Sequence, residues 1–368
     1  MIAYNKDWLY NRHVRTQADE ALREQCITIG EHEAIYKAKE VKFYTPNYFI
    51  RVGLALLTFV VIVFGNSFVG LLFSAGHVFF ILLIFMGLAC YGAAELIIRS
   101  KSHYNSGVDN MLVWMSALLV WGGCVWHMVL DNHNENSPVI MCFEALVITA
   151  ALAVRFADSF LSICAALALI LFLFFVYQHV GSLAAATTPF FMMLVSCLLY
   201  FVAANGAKRP TLLLYRTCLQ CVSVVALLAT YCAGNYYLVR ALSGEMFHAY
   251  LNPRDTLPMG IFFWVWTFAI PFIYIGAGIR KKDILLIRVG IPLIAAAILT
   301  FRYYHAVIAP EVAMLLGGAL LLAISWSLIN YLRTPRMGFT FKPDTSTSDT
   351  PDIGRLSTKA FMNKATGK

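Results

Sequence analysis

A chain of 368 residues that is 60% apolar and only 13% charged, with a positive mean hydropathy, lies outside the soluble globular class and reads as a multi-pass membrane protein. Its net charge of +8 is scattered over many short segments rather than gathered on one basic face; it argues against nucleic acid as a partner and serves as a topology signal. The nine cysteines are odd in number and all but Cys26 fall in apolar runs, which makes them small core residues rather than a disulfide framework.

Residues 1–47 predict a cytoplasmic helical hairpin. From Lys6 to Gln25 the apolar positions Val14, Ala18, Ala21 and Leu22 recur with helical period, led by Trp8 and Leu9. Thr28 and Glu31 have capping-box spacing, so a second helix is expected from Ile29 to about Val41, with Ala34, Ile35 and Ala38 on one side. Eight basic and seven acidic residues between Lys6 and Arg51 leave the hairpin nearly neutral, unlike a polybasic lipid clamp. Its apolar stripe packs within the chain or offers a docking surface to another protein. With 47 mostly polar residues ahead of the first apolar run, no cleavable signal peptide is expected.

Tyr48 opens the first run too apolar for water, and about 20 such residues cross a bilayer as a helix. Ten spans are predicted, near 48–65, 76–98, 108–128, 139–154, 159–179, 188–205, 212–239, 258–279, 284–301 and 311–332. The expected fold is therefore all-α: a polytopic bundle over 48–332, seated in a lipid bilayer. Pro271 and Pro292 are candidate breaks in the eighth and ninth spans. With the hairpin inside, the inner connections hold ten basic residues and the outer ones three, Arg240, Arg254 and Arg302. That pattern places both termini in the cytoplasm. Residues 333–368 have too few apolar side chains to offset chain entropy, and a disordered cytoplasmic tail is expected.

Charges within or beside a span need an explanation. Glu95 precedes Arg99 by four residues, the favourable order for a helical ion pair, while Asp109 and Asp158 open spans where an acid caps free amides. All three read as structural. Glu144 differs: it lies six residues past Pro138, roughly 9 Å at helical rise, with no basic residue within a turn. It needs a proton or a partner from another span, and the candidates on the outer side are His127, His179, Arg240, Arg302 and His305. His77, His133 and His248 map to the same half. Such a group can bind a proton, an anion or a metal ion; alternatively the histidines sit in the wet interface and Glu144, neutral or paired, only holds two helices together. Cys218 and Cys221 form a C-x-x-C without a second ligand pair, so packing is expected rather than a metal site. No Walker loop, dinucleotide fingerprint, H-E-x-x-H or G-x-S-x-G occurs, and no catalytic residue, metal or cofactor is assigned.

Two stretches carry a family resemblance. LREQCITIGEHEAIYKA followed by FYTPNYFIRVGLALLTFVVIVFG resembles the opening of a family of bacterial multi-pass membrane proteins known only as domains of unknown function. The segment Arg302–Leu332 resembles the closing span of a related group, while Cys26 stands where those relatives usually carry a glycine in the hairpin turn. The resemblance implies a helical cytoplasmic cap on a polytopic bundle in the bacterial inner membrane, and no particular activity. Three function classes remain open: a small-solute transporter or permease, a scaffold or sensor acting through the hairpin, and an enzyme acting on a lipid-borne substrate.

Overall fold

The computed structural model describes residues 2–72, 76–131, 137–246, 259–304 and 310–332. Helices dominate: α1 (Lys6–Arg23) and α2 (Ile29–Ala38) form the hairpin, followed by α3 (Tyr48–Leu72), α4 (Gly76–Lys101), α5 (Val108–Asp131) and α6 (Ser137–Phe156). Then come α7 (Ser159–Gln178), α8 (Ser182–Ala207), a 3-10 turn over Pro210–Tyr215, α9 (Arg216–Gly234), α10 (Tyr236–Met246), α11 (Gly260–Lys281), α12 (Ile284–Tyr304) and α13 (Pro310–Leu332). This is an all-α polytopic bundle. Among the described residues nine helices are long and apolar enough to cross a membrane. The strongest physical argument for a bilayer is α3, which spans 25 residues and buries none of them. Phe49 is 87% exposed on it and Phe64 70%, surface that lipid covers and water would not tolerate.

Two compact units divide the chain, one holding α1 to α9 with most of α10, the other holding Asn235–Tyr237 with α11 to α13. In the first, α4, α5 and α6 share a core with the hairpin: Ile2, Tyr4 and Leu9 belong to the same buried cluster as Leu112, Val113, Leu152 and Phe156. A second cluster joins α7, α8 and α9 through Ala166, Ile170, Met192 and Val225. In the second unit α11 and α12 pack closely enough that a side chain at Gly290 would meet the Pro271 carbonyl at 3.1 Å.

The hairpin forms as its caps require. Asn5 accepts the Asp7 amide at 2.9 Å to start α1, and Thr28 and Glu31 exchange both bonds of a capping box to start α2. The helix ends earlier than expected, at Ala38, because the chain past Lys39 runs extended to Tyr44, which bridges to His103. In the turn, Gln25 rather than Cys26 takes the left-handed conformation (φ 59°), and the Cys26 amide closes on Ala21 O at 2.8 Å. Gln25→Gly should therefore stabilise the fold by about 0.5–1 kcal/mol, read as a rise in the unfolding midpoint.

Two expectations change. The seventh span ends at Gly234, and Asn235 separates it from α10, so the run to 239 joined two helices. Pro271 and Pro292 sit inside unbroken α11 and α12; apolar surroundings leave the one missing amide bond too little to break either helix. The tenth predicted span, 311–332, coincides with α13 (Pro310–Leu332). The tail 333–368 lies outside the described residues.

Candidate functional site

Among the described residues two carboxylates, Glu144 and Glu95, keep a buried oxygen without a hydrogen-bond partner, and Glu95 has Arg99 and Arg155 beside it. Glu144 is half-buried on α6, and the oxygen in question is its Oε2. α5 supplies its surroundings. Trp121 donates its indole N–H to Met141 O at 3.1 Å, which ties α5 to α6 one turn before Glu144. One turn after Trp121 comes Cys124, then His127; both are close enough to interact electrostatically with the Glu144 carboxylate. The His127 ring stacks on Phe80 of α4, centroids 4.5 Å apart at 15°. Three helices therefore converge on an acid and an imidazole near the end of α5–α6 remote from the hairpin. A carboxylate oxygen buried without a donor is costly in a low-dielectric setting and is stabilised by a proton or a cation, while a protonated imidazole balances its charge.

The other candidates stand on separate elements. His179 is exposed as the C-cap of α7, its amide bonded to Val176 O at 3.2 Å. Arg240 lies on α10. Arg302 lies in the last turn of α12, in the second unit, beside Tyr303 and Tyr304. His305, His133 and His248 lie outside the described residues. Among the described residues no three His, Cys, Asp or Glu side chains group as metal ligands.

The structural acids behave as expected, with additions. Asp158 caps α7 by accepting the Leu161 amide at 2.9 Å, and it also takes the Trp114 indole N–H at 3.2 Å. Glu95 meets Arg99 at 3.2 Å, but its nearer partner is Arg155 at 2.7 Å, from the last turn of α6. Asp109 is wholly buried and accepts four donors: Tyr4 Oη at 3.0 Å, Asn105 N at 2.8 Å, Ser106 N at 2.9 Å and Ser106 Oγ at 3.0 Å. Nothing in the spacing announces Tyr4 or Arg155 as partners, which lie 105 and 60 residues away.

One polar feature of the second unit escaped the sequence reading. At the break before α10, Asn235 donates to Thr300 Oγ1 at 3.1 Å and accepts the Tyr237 amide at 3.0 Å, while the Tyr236 amide donates to Thr267 Oγ1 at 3.1 Å. The Tyr236 ring stacks on Trp264 at 4.6 Å and meets Tyr304 edge-on at 5.0 Å. The G-N-Y-Y sequence of Gly234–Tyr237 was the available signal, an asparagine inside an apolar run.

No family model matches this chain, and neither the curated proteins nor the solved structures searched contain a match.

Proposed function

We propose that this multi-pass membrane protein is a small-solute transporter or permease of a bacterial inner membrane, with its hairpin in the cytoplasm and Glu144 with His127 as the proton- or cation-handling pair near the outer face. The observation that carries this reading is the buried Glu144 Oε2 without a donor, beside an imidazole. A purely structural acid would be expected to resemble Asp109, with its acceptor capacity filled, or Glu95, whose unfilled oxygen belongs to a carboxylate paired with two arginines. Arg302 and Arg240 enter the proposal as charges of the same outer side, and membership of the uncharacterised bacterial family is part of it through the resemblance of 22–38 and 43–65.

The test is charge movement in proteoliposomes on a solid-supported electrode, driven by pH jumps and by a panel of amino acids, sugars, organic acids and alkali cations. Wild-type protein should give a transient current with at least one probe, and Glu144→Gln should reduce it at least about tenfold, the expected result of removing a charge that a translocated ion requires. Equal currents from wild type and Glu144→Gln, or no current above that of empty liposomes across the panel, would sink the reading.

A further inference from the structure

The segment ahead of α1 is unusual in being neither helical nor at the surface. Ile2 and Tyr4 are buried in the core of α4, α5 and α6. Ala3 N donates to Arg155 O at 2.8 Å, filling one of the carbonyls that the end of α6 leaves free. Tyr4 Oη donates to Asp109 at the start of α5, and the Tyr4 ring packs edge-on against Tyr104 at 5.0 Å. Three non-helical residues thus wedge into the hairpin end of the same two helices that carry His127 and Glu144 nearer their far ends.

We propose that Ile2–Tyr4 is a removable plug, the cytoplasmic gate of the transport cycle proposed above, on which its role as a gate rests. The chemistry of the seat supports withdrawal rather than permanent closure. The seat is walled by apolar side chains, yet its floor is polar: the Asp109 carboxylate, the Ser106 hydroxyl and the Arg155 carbonyl. Water can satisfy all three when the plug leaves, so the vacated space hydrates instead of collapsing. Among the described residues two hydrogen bonds anchor the segment, and α1 follows it directly as a lever from Lys6 onward. A small bias on the hairpin therefore shifts the population of the open form.

Native cysteines provide the readout. Cys90 is buried in the plugged core on α4, 11 residues before Lys101, or about 16 Å along the helix. Cys26 is exposed in the hairpin turn, and Cys218 is buried in α9. Full-length protein in sealed membrane vesicles is treated with a membrane-impermeant maleimide, and each cysteine is followed by peptide mass spectrometry. The vesicle orientation in which Cys26 reacts identifies the hairpin side. From that side Tyr4→Ala should raise the Cys90 rate about tenfold and Tyr4→Phe, which keeps the ring but loses the bond to Asp109, by a smaller factor. Cys218 should stay protected in both. An unchanged Cys90 rate in either variant overturns the plug, and so does a parallel rise at Cys218, which signals general loosening. The labelling requires no flux: opening at Cys90 with no measurable current removes the transport reading and keeps the plug, whereas current with no opening does the reverse.

Discussion

Asp109→Ala is expected to cost about 3–5 kcal/mol of stability, because it leaves a set of buried donors without their acceptor. The Asp109 side chain is fully enclosed, and its two oxygens take four donors, two of them the backbone amides of Asn105 and Ser106 in the connection that leads into α5. Alanine strands all four. Asp109→Asn, which keeps one oxygen and turns the other into a donor facing donors, should fall between wild type and alanine. Thermal unfolding in detergent followed by tryptophan emission measures the series; a loss under about 1 kcal/mol for alanine would mean that water replaces the carboxylate freely. Tyr4 adds a pH signature. Burial, and then the Asp109 carboxylate beside it, push the Tyr4 phenol well above its ordinary value. A group raised on folding stabilises fully below its unfolded pKa, here about 10, and loses that contribution as pH climbs further. Tyr4→Phe should flatten the alkaline fall in stability without steepening the acid side.

The features legible in the sequence were those carried by neighbours in the chain. Thr28 with Glu31, and Asp158 before Leu161, satisfy amides within three residues, so their spacing is the interaction itself. The spans were legible for a related reason: a membrane helix closes its hydrogen bonds internally, and its side chains need only suit lipid. What stayed hidden depends on which helices touch. Glu95 looked complete with Arg99, yet Arg155 reaches it at 2.7 Å from another helix, and hydropathy carries no record of that meeting. Tyr4 is a stronger case, since a tyrosine in a polar leader has no periodicity to mark it as core. The candidate site was legible in part: Glu144 was singled out by its depth and His127 was among its candidate partners, and the fold picks out His127, on the neighbouring helix α5. Arg302 and Arg240 were grouped with them only through charge alternation, which predicts a side and not a neighbour.

Gly107→Ala should be comparably damaging, by about 2–5 kcal/mol, and for a reason that involves no polar group. Gly107 closes the connection from α4 to α5 with φ at +94°, a conformation an L side chain rarely adopts. Its missing side chain also makes room for α3. An added methyl would collide with the Arg51 carbonyl oxygen and stand 3.1 Å from the Ala55 amide nitrogen, both backbone atoms of a helix that cannot yield locally. The two penalties add because relieving one does not relieve the other: rotating φ to a negative value moves the connection that delivers Asn105 to Arg51 and Ser106 to Asp109. Gly107→Asn separates them, since asparagine tolerates positive φ better than alanine while its larger side chain meets the same obstacle. If Asn is as damaging as Ala, collision with α3 dominates; if Asn is milder, the backbone angle does. Gly65→Ala provides the baseline on α3 itself, where nothing stands within 4 Å of the new methyl, and it should leave the unfolding midpoint unchanged or slightly raised. A Gly107→Ala midpoint equal to that of Gly65→Ala would show that α3 does not rest on this connection at all.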